Sequence, residues 1–290
     1  MKKITAGSRE SVLAVAQSEI ILELIRAAEP GMATELVTMK TTGDRILDRT
    51  LDKVGGKGLF IKELDTALLS GRVDITIHSL KDIPSELPDG IRIAAYSKRE
   101  DPRDVLILPE GTDKLDMTLP IGCASLRRAA QITKLFPGVR VKPVRGNVIT
   151  RLQKLDAGEY SALVLAKAGI VRLGLEKRIS RVFSPKEILP AAGQGIIAVE
   201  CRADCSYSFL DTIDNRESRI CAEAERAFIR ETNGGCSAPA AAFCRLDGDR
   251  INIIGMDVRG GKIIRAEITD SAENASGAGE RLARMIRSKE

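Results

Sequence analysis

The sequence has no tryptophan, a single histidine and only 3% aromatic residues. That scarcity disfavours a nucleic-acid binder, because such proteins stack bases on aromatic side chains. No metal is expected: His78 stands alone, and Cys201 and Cys205 have no second matching pair downstream. The six cysteines (Cys123, Cys201, Cys205, Cys221, Cys236 and Cys244) include no C-x-x-C, so a disulfide framework is not expected. No apolar run approaches the roughly 20 residues that cross a bilayer. The opening "MKKITAGSRE" also turns polar at once, without a signal-peptide core. A cytoplasmic protein that binds neither membrane nor nucleic acid is expected.

Acid is missing where base is abundant. From Met117 to Leu155 there is no Asp or Glu, yet Arg127, Arg128, Lys134, Arg140, Lys142, Arg145, Arg151 and Lys154 fall inside. The net charge of +5 is modest, so the distribution rather than the total points to an acidic ligand. With 290 residues and 43% hydrophobic content, the chain suits two or three packed domains.

Strand-like and helical patterns alternate over the first hundred residues, which predicts an α/β domain with a mostly parallel sheet. "KITAG" and "ELVTMK" read as strands around a helix carrying Val12, Leu13, Ala16, Ile20, Leu24 and Ala28; a second helix spans about 59–70. "VDITIHSL" reads as a strand whose carboxyl end runs into the loop "KDIPSELPDG", the end of a sheet at which ligands collect. After the charged connector "KREDPRD", the strands "DVLIL", "PIGCAS", "VRVKPV" and "SALVLA" define a second α/β domain. "GIIAVECR" is a strand free to join either sheet. Beyond Glu217, a helix, three strands and a terminal helix form a small α+β domain. The expected units are 1–97 with 196–214, 101–191, and 217–290.

Two strand-to-helix junctions carry similar equipment. In "CASLRRAAQ", Ser125 is a natural helix cap, with Arg127 and Arg128 in the first turn. In "PVRGNVITRLQKL", Arg145 ends a strand, Gly146 permits close backbone approach, Asn147 caps and Arg151 lies a turn inside. Either pair alone is also what a solvated basic turn looks like; together their cations can converge on one anion. "KVGGKGLF" places Lys53 and Lys57 around glycines without phosphate-loop spacing, so a basic lid and a solvated loop both fit. In "HSLKDIP", Asp82 follows Lys81 at a strand end, where a carboxylate stabilises a cation or moves a proton. His78, within the alternating strand, reads as a core residue. In "RETNGGCSAP", Gly234 and Gly235 can end the preceding helix and present Cys236. These features fit a catalyst or a module that captures a polyanion; a presented thiol and an acid among arginines favour the catalyst.

The order "SRESVLAVAQ", "KVGGKGLFIKEL", "DITIHSLKDIP", "KREDPRD", "ASLRR", "RGNVITRLQKLDAGEY", "LAKAGIVRLGL", "LPAAGQGIIAVECR", "GGCSAP" resembles the porphobilinogen deaminase (hydroxymethylbilane synthase) family over nearly the whole chain. The resemblance implies two α/β domains like those of periplasmic binding proteins, flanking a cleft, plus the small third domain. It implies a monomer that condenses four porphobilinogen molecules on a dipyrromethane cofactor, thioether-linked at Cys236, and then releases linear hydroxymethylbilane. On the same basis Asp82 is the catalytic carboxylate. Lys81, Ser125, Arg127, Arg128, Arg145 and Gly146 contact the cofactor. Arg9, Ser11, Gln17, Arg145, Arg151, Arg172 and Gln194 contact substrate, and Lys53, Lys57 and Phe60 belong to a lid. Cys123 stands where relatives commonly carry Thr or Ser.

Overall fold

The computed structural model describes residues 3–45, 61–232 and 238–289, and all structural statements below concern those residues. Lys53, Lys57, Phe60 and Cys236 lie outside them.

The first sheet is built from β1 (Lys3–Arg9), β2 (Ala33–Met39), β3 (Ile75–Ser79), β4 (Ile91–Tyr96) and a late strand, β10 (Ile197–Arg202), in the order β2-β1-β3-β10-β4. Helix α1 (Val12–Ala28) is started by Ser11, whose hydroxyl accepts the Ala14 N–H at 3.2 Å, and buries Ile21, Leu22 and Ile25 against this sheet. Helix α2 (Thr42–Arg45) and helix α3 (Lys62–Leu69) flank the undescribed stretch between them, and α3 packs Leu64 and Leu68 beside Val73 and Met39.

The second sheet repeats the plan with β5 (Asp104–Ile107), β6 (Ile121–Gly122), β7 (Val141–Lys142), β8 (Ala162–Ala166) and β9 (Arg181–Val182), in the order β7-β6-β8-β5-β9. Between its strands lie α4 (Leu126–Leu135), α5 (Val148–Asp156) and α6 (Lys167–Arg172). Each sheet has two parallel pairings followed by two antiparallel ones. The mostly parallel sheet read from the sequence is therefore corrected: β10 and β5 arrive from outside the local β-α-β run and enter antiparallel. "PIGCAS" and "VRVKPV" also shorten to two-residue strands, because only Ile121–Gly122 and Val141–Lys142 find ladder partners.

Two crossover segments join the α/β units and run side by side: Ser97 N–H donates to Ile197 O at 2.8 Å, and Glu100 N–H to Gly195 O at 3.1 Å. Helix α7 (Arg216–Glu231), strands β11 (Ala241–Asp247), β12 (Arg250–Arg259) and β13 (Lys262–Ser271), and helix α8 (Ala275–Arg287) form the third unit. Its antiparallel sheet and both helices share a core around Phe228, Ile251, Ile253 and Leu282. Helix α7 ends at Glu231 with Thr232 at its cap, and Gly234 and Gly235 lie outside the described residues. His78 is a core residue, 5% exposed, with Nε2 3.2 Å from Glu200 Oε2.

Candidate active site

Strand β3 ends in a short 3-10 turn, Leu80–Asp82, that is held in place from both sides. Leu80 donates its N–H to Ile196 O at 3.0 Å, and its buried side chain lies against the backbone of Gly193. Gly193 has φ +72, and a Cβ there would come within 2.7 Å of Leu80 Cγ, so only glycine lets the return crossover pass this closely. The turn projects Lys81 and Asp82 beyond the sheet. Burial pushes the Lys81 ammonium down to about 8; Asp82 and Asp104 oppose that, and Arg128 and Arg127 add to it. The charge of Asp82 also reaches Arg128 and Arg151 of the second unit. Residues contributed by both sheets therefore share one electrostatic neighbourhood.

Ser125 caps α4 by accepting the Arg128 N–H at 3.4 Å. Arg127 and Arg128 then turn inward, only 3% and 8% exposed. Both meet Asp104, the first residue of β5, which the sequence reading passed over. Arg127 Nη1 donates to Asp104 Oδ2 at 2.8 Å and to Leu189 O at 2.6 Å. Arg128 Nη2 and Nε reach Asp104 Oδ1 at 2.7 and 3.1 Å, and Nη1 reaches Val164 O at 3.3 Å. Gln194 adds its Nε2 to the same Asp104 oxygen at 2.8 Å and to Pro102 O at 2.6 Å. Burial alone would raise the Asp104 carboxyl, but the two guanidiniums hold it well below the usual carboxylate range. The only sequence signal for this residue was an acid placed at the head of the apolar strand "DVLIL".

At the other junction, Asn147 caps α5 by accepting the Thr150 N–H at 2.9 Å. Gly146 has φ +110, and a Cβ there would stand 2.8 Å from Thr150 Cγ2. Arg151 Nε donates to Gly146 O at 2.8 Å. Burial lowers the Arg151 guanidinium to about 10, and the neighbouring charges of Arg128 and Arg145 push the same way. Among the described residues Arg151 has no carboxylate partner. Arg172 is likewise lowered to about 10 by burial, against the pull of Glu100, and donates to Gly195 O at 2.6 Å.

Several other predicted residues have partners within the chain. Arg9 makes a two-pronged contact with Asp44, another acid the sequence reading did not single out. Ser11 is occupied in capping α1. Gln17 exchanges hydrogen bonds with Ser79 Oγ at 2.9 and 3.0 Å, which steadies the end of β3 two residues before Lys81. Arg127, Arg128 and Asp104 sum to one positive charge (two cations, one anion); Lys81, Arg145 and Arg151 add to it, and Asp82 subtracts. The arrangement is a partly desolvated cationic site with one carboxylate at its edge, suited to a ligand bearing several carboxylates. No group of three or more metal-ligating side chains occurs among the described residues.

Comparison with known proteins agrees with this chemistry. The family profile "Porphobilinogen deaminase, dipyromethane cofactor binding domain" matches residues 4–208, and "Porphobilinogen deaminase, C-terminal domain" matches residues 219–288. The chain is 55% identical over 282 residues to a porphobilinogen deaminase of Acetivibrio thermocellus, covering 97% of each chain. It is 50% identical to that of Alkaliphilus oremlandii, covering 99% of this chain and 98% of the relative. For Chromobacterium violaceum the identity is 44%, with 99% and 94% covered. Among solved structures, the methionine binding protein MetQ gives a TM-score of 0.47 at 11% identity, covering 73% of this chain and 88% of that one. No helix among the described residues is long and apolar enough to cross a membrane.

Proposed function

The chain belongs to the porphobilinogen deaminase family, and from that premise we propose that it joins four porphobilinogen molecules head to tail, releases ammonia at each addition and frees linear hydroxymethylbilane by hydrolysis. A dipyrromethane group bound through a thioether to Cys236 supplies the pyrrole to which the first substrate is joined. Lys81, Ser125, Arg127, Arg128 and Arg145 would hold its carboxylates, with Gly146 allowing close backbone approach. Arg9, Ser11, Gln17, Arg151, Arg172 and Gln194 would receive the substrate's.

The observation that carries this reading is the desolvated Arg151 cation, crowded by Arg128 and Arg145 and lacking a carboxylate partner among the described residues. Each porphobilinogen brings an acetate and a propionate, and a half-buried guanidinium without a carboxylate partner among the described residues is where such a group binds with least desolvation cost. Asp104 keeps Arg127 and Arg128 oriented, so the site is ordered before ligand arrives. Asp82 then has two tasks: it opposes the positive charge that develops on the pyrrole as ammonia leaves, and it delivers the proton that the departing amine needs. Lys81, charged below pH about 8, keeps the Asp82 carboxylate oriented while a carboxylate ligand sits nearby.

The test is the intact mass of protein made in cells that supply porphobilinogen. An excess equal to two pyrrole units, absent from Cys236→Ser, is expected; a mass matching the bare sequence would overturn the proposal.

A further inference from the structure

Arg265, half-buried on β13, reaches out of the third unit. Its Nη1 donates to Lys186 O, and its Nη2 donates to Gln131 Oε1 and, at 3.4 Å, to Glu187 O. The acceptors belong to α4 and to the crossover that follows β9, so one side chain of the third unit grips the second unit at two places. Three neutral oxygens, rather than a carboxylate, receive this guanidinium. A planar fork of donors suits such a set, because it can serve several acceptors at once.

Gln131 connects this contact to the candidate active site. It is 1% exposed and sits on α4 one turn after Arg127. Its Oε1 accepts the Leu189 N–H at 2.8 Å as well as Arg265, while its Nε2 donates to Arg127 O at 3.2 Å and to Leu189 O at 3.3 Å. Both partners of the oxygen are donors and both partners of the nitrogen are acceptors, so the amide has one orientation. Leu189 O is also where Arg127 Nη1 donates, at 2.6 Å. One amide therefore ties the backbone of Arg127 to the peptide that its guanidinium binds. The Leu189 side chain completes the connection, fully buried with Ala241, Phe243 and Met256 of the third unit's sheet.

Arg127 Nη1 is aimed by two acceptors, Asp104 Oδ2 and Leu189 O. Asp104 is fixed by its strand, whereas Leu189 lies in no strand or helix, and Gln131 and Arg127 take up its N–H and C=O. We propose that Arg265, acting through Gln131, is a positioning residue: the third unit sets the carbonyl that orients Arg127 for the cofactor's carboxylates. The inference rests on the cofactor reading above, in which Cys236, between α7 and β11 of that same unit, anchors the dipyrromethane group. Thioether anchor and anion site are then aligned before the group is attached.

The experiment follows, by intact mass, how fast full-length protein made without the cofactor gains two pyrrole units from porphobilinogen. Arg265→Gln should slow the gain about tenfold. Gln131→Leu should slow it too, and the double variant should be no slower than the slower single one, because both act through one contact. Ile251→Val removes a methyl group from the third unit's core and should lower the urea midpoint with the rate of gain unchanged. Should Arg265→Gln fail to fold, Arg265→Lys keeps the charge without the forked reach and should slow the gain by a smaller factor. A wild-type chain that gains no mass would overturn the cofactor reading itself. Where wild type does gain it, the positioning role is overturned by an Arg265 variant as fast as wild type, by losses that multiply in the double variant, or by Ile251→Val slowing the gain as much as Arg265→Gln.

Discussion

Arg99 and Glu225 form a buried two-pronged ion pair, Nη1 to Oε1 at 2.8 Å and Nη2 to Oε2 at 2.7 Å, that joins the first crossover to helix α7. Glu225 is fully buried and also accepts the backbone N–H groups of Gly193 and Cys244, each at 2.7 Å. Arg99 Nε in turn donates to Gln194 O at 2.9 Å. One carboxylate thus binds both crossovers and the third unit, and through Gln194 it connects to Asp104. Glu225→Ala leaves Arg99 and two backbone donors without a partner, and should cost about 3–5 kcal/mol of stability. An Arg99→Met, Glu225→Met double variant should lose less than the single variant in urea unfolding. Equal losses would mean that the pair does not act as a unit.

Asp104 is where the anion-site arginines and the fold depend on each other. Asp104→Asn should weaken the grip on Arg127 and Arg128 and lower stability by about 3 kcal/mol or more at neutral pH. The folded carboxyl is held below its unfolded value by the arginines. Its contribution is therefore present above the unfolded value and lost as acid titrates the folded group. Wild type and variant should converge in strongly acidic urea melts and differ at pH 7; a constant gap would assign the loss to shape instead of charge.

These two carboxylates show where sequence reading stops. Local features were legible: the caps Ser125 and Asn147 accept from Arg128 N–H and Thr150 N–H, each three residues on. The alternating strand around His78 and the apolar stripe of α1 were legible for the same reason, since their periods lie within a few residues. The Asp104 contacts to Arg127 and Arg128 span 23 and 24 residues, and Arg99 to Glu225 spans 126. No periodicity carries such pairs. The antiparallel entry of β10 is invisible for a similar reason, because its neighbours β3 and β4 precede it by about a hundred residues. The role proposed for Cys236 came from family resemblance, which no local pattern replaces.

A buried cluster on the first sheet should make stability fall as pH rises. Asp65 is raised to about 6, by burial and then by the charge of Glu200, with His78 opposing. A folded value above the unfolded one means that the native state holds the proton more tightly, so stability is greatest below the unfolded value and declines through pH 6. Asp65→Asn cannot ionise. Its stability relative to wild type should therefore improve between pH 5 and pH 8, as measured by urea midpoints. A difference independent of pH would show that Asp65 is not the titrating group.

Lys81 predicts a limb on the alkaline side. Its folded value of about 8 lies below the ordinary lysine value, so above that pH the ammonium is lost and carboxylate binding weakens. Bound dipyrromethane carboxylates raise the value, which places the limb in turnover at or above pH 8. Lys81→Arg keeps its charge throughout and should flatten that limb; identical turnover–pH profiles in wild type and variant would remove Lys81 from carboxylate binding.

Gly193 tests whether the Leu80–Asp82 turn is positioned by close packing. Gly193→Ala introduces a Cβ at 2.7 Å from Leu80 Cγ and at φ +72, whereas Gly111 has a similar φ of +77 with nothing within 4 Å. Gly111→Ala therefore carries the backbone strain alone, about 1 kcal/mol. Gly193→Ala adds overpacking of about 1–3 kcal/mol and should displace Asp82 from its place beside Lys81. Turnover should fall by about 10²-fold or more in the Gly193 variant, in keeping with the sensitivity of reacting groups to small misplacements. The Gly111 variant should retain turnover. Equal stability losses and equal turnover in the two alanine variants would mean that Leu80 yields without moving Asp82, and that the crossover does not set the geometry of the turn.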